Sequence, residues 1–148
     1  MKSFLQTTLI DKIPLARPMG IEVLNASSDC VCLKAPLEGN TNHQGTGFGG
    51  SIYSLAVLAG WGLLTAWLKE CDFDGVVVIK TAAMDYRKPV TGEMRAACCF
   101  DDGDGLARLE RMLATKGRGR IDLLVSVQVA GEEVAGLRGE YVIRRQGA

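Results

Sequence analysis

Histidine is almost missing from this chain: His43 is the only one in 148 residues. A zinc-type centre needs three or four nitrogen, sulfur or carboxylate ligands, so one imidazole and scattered cysteines offer no ligand set, and no metal is expected. The five cysteines, Cys30, Cys32, Cys71, Cys98 and Cys99, are odd in number and include no C-x-x-C pair. That spacing argues against both a disulfide framework and a zinc ribbon. They read as small core hydrophobes kept reduced, Cys30 and Cys32 sharing one strand face while Cys98 and Cys99 point to opposite faces. Excess charge is missing too: 17 basic and 17 acidic residues cancel, so the composition shows no basic excess of the kind a nucleic-acid binder carries, and no nucleic-acid partner is expected. The first dozen positions hold Lys2, Gln6, Thr7, Thr8, Asp11 and Lys12 in place of a signal-peptide apolar region. The expected location is therefore cytoplasmic.

From Phe48 to Leu68 no charged residue occurs, a run long enough to cross a bilayer. It carries Gly49, Gly50, Gly60, Gly62, Ser51, Ser54 and Thr65, and amphipathic strands flank it. A helix apolar on all sides is equally the buried centre of a globular domain. That reading is the one expected, with no membrane partner.

The length fits one domain, residues 1–148, with enough chain to bury a core. Ser3–Ile13 has apolar residues at i,i+4 spacing and reads as a short helix stopped by Pro14. Ile21–Leu24 and Cys30–Leu37 read as strands around a polar turn, the second alternating Val31, Leu33, Ala35 and Leu37 on one face with Cys30, Cys32 and Lys34 on the other. The long helix, about Phe48–Glu70, follows a glycine-containing loop. A β-branched run from Gly75 continues as a strand to about Lys88, and Pro89–Gly92 turns the chain into Glu93–Phe100. Asp101–Asp104 is expected to cap a helix striped by Leu106, Leu109, Met112 and Leu113. Lys116–Arg120 reads as a basic loop, and Ile121–Val129 as a strand returned by Gly131–Glu133 into a last one. Strands arriving as hairpins predict an antiparallel sheet and an α+β domain, a sheet wrapped around one helix.

The chemistry-bearing stretch is Asn42-His-Gln-Gly-Thr-Gly-Phe-Gly-Gly-Ser51, a glycine-rich loop entering a helix N-terminus. Such an end presents unpaired N–H groups and the positive end of a dipole to an anion or a polarised carbonyl. Gly45 to Gly50 formally matches G-x-G-x-x-G, but a dinucleotide site needs a strand directly before the loop and a βαβ crossover after it. Hairpins stand on both sides here, which argues against a dinucleotide site.

The same loop, with Gly45, Phe48, Gly49 and Gly50 aligned, resembles the N-x-x-G-x-x-H-G-G signature of hotdog-fold thioesterases. Asp85-Tyr86-Arg-Lys-Pro89-Val-Thr-Gly92-Glu93 is similar to a Y-x-x-P-x-x-x-G-D/E stretch on a later strand of that fold. The combination resembles the thioesterase domain family that is also found C-terminal to acetyltransferase domains. The resemblance implies a hotdog fold, a homodimer or dimer of dimers with joined sheets, and active sites at the subunit interface. It implies an acyl-coenzyme A or acyl-carrier-protein substrate and no cofactor beyond coenzyme A as part of that substrate. Gly49 and Gly50 would polarise the thioester carbonyl, with Gly45, Phe48 and Ser51 lining the substrate. Arg87, Lys88, Lys116, Arg118 and Arg120 would face the phosphates.

Two departures matter. Phe48 stands where the motif has histidine, and Val57 stands where many relatives place an acid. The water-activating groups are then expected to be His43, Asn42 and Asp85. Ser51 or Ser54 as a nucleophile served by His43 is a further alternative. A dehydratase or hydratase acting on acyl thioesters, and a non-catalytic acyl-coenzyme A binding module, are the alternatives. Trp61 and Trp67 read first as core packing and second as acyl-pocket walls.

Overall fold

The computed structural model describes residues 1–147. Helix α1 (Lys2–Lys12) buries Leu5 and Leu9, one turn apart, as the apolar spacing predicts. A single turn, α2 (Ala16–Met19), follows and stops on Gly20 at φ 69°; four residues are too few for any periodicity to announce it. Then come β1 (Glu22–Ala26), β2 (Cys30–Ala35), the 22-residue α3 (Gly49–Glu70), β3 (Gly75–Tyr86), β4 (Met94–Cys99), α4 (Gly105–Lys116), β5 (Arg118–Val129) and β6 (Glu132–Arg145).

The six strands form one sheet in the order β1-β2-β4-β5-β6-β3, every pairing antiparallel. β1–β2 and β5–β6 are the expected hairpins. β3 and β4 are not, because β3 pairs with β6 at the far edge. Helix α3 leaves β2 on one side of the sheet and delivers the chain to the opposite edge, so Pro89–Gly92 carries it back across instead of folding a hairpin. The result is an antiparallel sheet around a long central helix, the hotdog arrangement.

The core is the interface between α3 and the inward face of the sheet. Leu55, Ala56, Ala59, Leu63 and Leu64 of the helix meet Val31, Leu33, Met94, Ala96, Val125, Val127, Leu137, Tyr141 and Ile143, all buried. Each large side chain taken out of water contributes about 1.5–3 kcal/mol. Helix α3 is long and apolar enough to span a bilayer, yet 67% of its most apolar stretch is buried inside the domain. Tyr141 enters a notch at Gly60, where a Cβ would stand 2.3 Å from the phenolic oxygen. Its hydroxyl donates to the Val57 carbonyl at 2.7 Å.

Three local expectations are corrected. Arg118–Arg120 are not loop: Gly117, at φ 70°, ends α4, and the arginines open β5 opposite Arg144 and Val142. Asp104 precedes α4 but spends its carboxylate on Arg108 at 3.0 Å, one turn on, instead of on a capping N–H. The cysteines are not all thiols. Cys30 and Cys99 face each other across β2 and β4, Cα to Cα 4.1 Å, and are joined as a disulfide, while Cys32, Cys71 and Cys98 stay free. Directly opposed residues of an antiparallel pair lie close enough for their sulfurs to bond. Closing a loop over a sequence separation of 69 restrains the unfolded chain by about 4 kcal/mol on the loop-entropy account.

Burial lifts the Cys98 thiol from its ordinary 9.0 to about 12, and burial also raises the Tyr141 phenol. Folding favours both neutral forms, so their contribution is complete below pH 9 and is lost as the pH rises from there toward 12. Thermal melts between pH 8 and pH 11.5 should show a progressive fall in Tm, flattened in Cys98→Ala. A Tm constant over that range would contradict the burial of both groups.

Candidate active site

The loop before α3 is built by two asparagines. The Oδ1 atom of Asn42 accepts from the N–H groups of Gln44 (2.8 Å) and Thr46 (3.2 Å), and its Nδ2 donates to Thr46 Oγ1 at 2.8 Å. The Asn42 N–H donates to the Thr46 carbonyl at 2.7 Å, and Gly45 turns the chain at φ 80°. Below it, buried Asn40 donates from Nδ2 to the carbonyls of Met19 (2.8 Å) and Pro36 (2.9 Å). The Asn40 carbonyl receives the Phe48 N–H at 2.8 Å. Asn40 thus ties the loop to the body of the domain, a role the sequence reading missed; an asparagine two positions before the motif carries no signal of burial.

Gly47 presses this loop onto the segment after β3. Its N–H donates to the Val90 carbonyl at 2.8 Å, and a Cβ there would lie 2.6 Å from Val90 Cβ. The two sequence motifs therefore meet: the glycine loop and the Tyr86–Glu93 stretch share one corner of the fold.

At that corner α3 begins. Phe48 precedes it in an extended conformation, φ −67° and ψ 130°, without a side-chain cap. The Phe48 carbonyl already accepts from the Ser51 (3.0 Å) and Ile52 (3.1 Å) N–H groups. The N–H groups of Gly49 and Gly50 have no acceptor among the described residues, as expected of the first two helical positions. The Phe48 and Tyr86 rings are exposed, 54% and 51%, and flank this glycine pair. The Tyr86 hydroxyl donates to the Gly49 carbonyl at 2.8 Å. Burial, with Tyr53 nearby, raises the Tyr86 phenol above its ordinary value. Ser54 returns its hydroxyl to the Gly50 carbonyl at 2.8 Å, which occupies the proton a nucleophilic serine would have to lose. Half-buried Ser51 sits on the first turn, and His43 is exposed on the loop with a side chain that makes no hydrogen bond among the described residues.

Asp85 does not join this group. β3 carries a bulge between Ile79 and Thr81, which reverses the alternation of faces beyond it. Ala82, Met84 and Tyr86 then face the helix, and Asp85 faces outward. Its carboxylate accepts from Arg87 Nε at 2.9 Å, and Arg87 also pairs with Glu133. These residues line an open groove of about 460 Å³ on the sheet's outer surface with Ser126, Gly136 and Arg138. Arg87 is held above its usual value by the Asp85 hydrogen bond first and Glu133 second. Glu133 is held below its own value chiefly by a hydrogen bond from Ser126.

The other candidate cations are dispersed. Lys88 pairs with Glu132, and Arg120 stands 3.8 Å from Glu140. Arg118 lies opposite Arg144, which lies opposite Val76, ten residues along β3 from Tyr86. At strand rise that is roughly 30 Å from the start of α3.

A central helix wrapped by an antiparallel sheet and opening through two unspent glycine N–H groups places the chain in the hotdog class. Residues 2–145 match the family described as "Putative thioesterase (yiiD_Cterm)", and the chain belongs to that family. It is similar to a protein of unknown function from Chlorobaculum tepidum: 30% identity, TM-score 0.90, 98% of this chain and 94% of that one. It is also similar to a "putative thioesterase" from Shewanella oneidensis: 29% identity, TM-score 0.85, 97% and 96% covered. A thioesterase from Haemophilus influenzae, at 14% identity and TM-score 0.77 over 100% and 93% of the two chains, shares the fold.

Proposed function

We propose that the chain hydrolyses an acyl thioester of coenzyme A or of acyl-carrier protein. The observation that carries this is the pair of unspent N–H groups of Gly49 and Gly50 at the positive end of a 22-residue helix. A thioester carbonyl seated there is polarised, and the oxyanion formed on water attack is stabilised without reorganisation. His43 is the base: it takes the proton of the attacking water and returns it to the departing thiolate, leaving a carboxylic acid and a free thiol. Asn42, with its amide spent inside the loop, positions His43 and does not itself touch water. Gly45, Phe48 and Ser51 border the thioester.

The functional unit in this reading is a homodimer joined along β3. That strand is a 12-residue sheet edge with Val78 47% exposed, the kind of open edge that a folded chain covers. The other edge, β1, has five residues and a bulge, and α1 packs on it. Antiparallel β3–β3 pairing would bring the partner's Arg118 and Arg120 end toward the end of the sheet where Gly49 lies, which suits the phosphates of coenzyme A.

The test is thiol release from short, medium, long and aromatic acyl-coenzyme A esters, then from acyl-carrier protein. Wild type should turn over at least one of them. His43→Ala should lose roughly a hundredfold in kcat, the scale of general-base catalysis, while Asp85→Asn stays within about twofold of wild type because its carboxylate lies on the other face. Enoyl product without thiol would point to a dehydratase. Saturable binding without any turnover would favour the non-catalytic module, which the phenylalanine and valine at positions 48 and 57 would then explain.

A further inference from the structure

The Gly49–Gly50 peptide has two ends. Its N–H is one of the two unspent donors, and its carbonyl oxygen, on Gly49, accepts the Tyr86 hydroxyl at 2.8 Å. The regular helix bond to the same carbonyl comes from the N–H four residues on, at Tyr53. Hydrogen bonds at the two ends of one peptide reinforce each other, since drawing electron density onto the oxygen leaves the N–H more positive. We infer that Tyr86 is a positioning residue for the thioester carbonyl: by donating to the Gly49 oxygen it orients and polarises the Gly49–Gly50 peptide, and so strengthens the Gly50 N–H as the oxyanion donor.

Three further observations fit this role. A Cβ at Gly49 would sit 3.5 Å from Tyr86 ring atoms and hydroxyl alike, so the whole outer end of the side chain packs against the helix start. The hydroxyl comes from the end of β3, 37 residues away in sequence, a placement helix formation alone does not require. The other unspent donor, the Gly49 N–H, belongs to a peptide whose carbonyl is served twice by helix N–H groups, from Ser51 and Ile52. No side chain is needed there. The Gly50 donor is the one with a side chain behind it.

The inference rests on the hydrolase reading for its catalytic consequence, but the polarisation itself is measurable without substrate. Tyr86→Phe keeps the ring and its ring current and removes only the donor. In the ligand-free protein the Gly50 amide proton and nitrogen resonances should move upfield in Tyr86→Phe, while those of Gly62, far along the same helix, stay in place. With the substrate found above, kcat should fall roughly tenfold and KM should change by less than about twofold, since the polarised donor acts mainly on the developing charge. An unmoved Gly50 amide overturns the inference, and so does a kcat equal to that of wild type. A wild type that releases no thiol from any ester defeats the hydrolase reading instead, and the Gly50 amide shift then decides the polarisation alone.

Discussion

Gly60→Ala should cost the fold roughly 2–4 kcal/mol, because a methyl group and the Tyr141 ring would claim the same space and overpacking of a tight core costs on this scale. The notch is closed on all sides: Tyr141 is 1% exposed, and a Cβ at Gly60 would stand 2.3 Å from its oxygen, 2.5 Å from Cζ and 2.8 Å from Cε1. A rigid ring in a buried site has no free rotamer to retreat into. Moving it also breaks the bond from its hydroxyl to the Val57 carbonyl. For a chain of this length the loss corresponds to a Tm lower by about 6–13 °C. Tyr141→Phe alone should cost about 1 kcal/mol, the worth of the hydrogen bond. The double variant should lose less than the sum, since each change removes part of what the other disturbs. Differential scanning calorimetry of the four proteins measures the cycle. A Gly60→Ala protein melting within 2 °C or so of wild type would mean the ring does not occupy the notch.

The second large effect belongs to the helix start. Gly49→Pro should abolish most of the turnover while leaving the fold intact. Proline is at home in the first helical position, where its missing N–H has no helical acceptor to lose. The residue before a proline must be extended, and Phe48 already is, at ψ 130°. The added Cβ meets the Tyr86 ring at 3.5 Å, an ordinary contact. The substitution therefore spares the fold while it deletes one donor to the oxyanion and sets the proline Cδ where that hydrogen pointed. Losing such a donor typically lowers kcat by roughly 10²–10³. The readout is thiol release with circular dichroism and Tm measured on the same sample. Full turnover in a folded Gly49→Pro protein would assign the oxyanion to Gly50 alone or to another place.

Much of this was legible in the chain. The uncharged run from Phe48 to Leu68 is α3 to within two residues, because a helix buried on nearly every side needs no polar face. The alternation in Cys30–Ala35 and in Ile121–Val129 marks real strands, since one sheet face is packed and the other is wet. The glycine loop could be placed at a helix start from local pattern alone. What failed depended on register and long-range pairing. Asp85 reads as a candidate because it is an acid inside an otherwise apolar strand, and an unbroken alternation from Val77 and Ile79 would place it on the inner face. One bulged residue reversed the count, and no local signal at Lys80 announces it. The Cys30–Cys99 bond was missed because the opposition of two cysteines is a property of the β2–β4 register. The position of β3 at the far edge follows from where α3 crosses the sheet, which hairpin-by-hairpin reading does not capture.

Two tyrosines on neighbouring strands donate to carbonyls of the same helix, Tyr86 to Gly49 and Tyr141 to Val57. Those carbonyls are eight residues apart, about 12 Å along the helix axis. A smooth apolar helix in an apolar sheath has little to stop it sliding lengthwise, because dispersion contacts are nearly as good after a small shift. Two fixed pegs at two heights remove that freedom. The sheet thereby acts as a ruler for the helix, and the height at which its first two amides emerge is set partly from within the core.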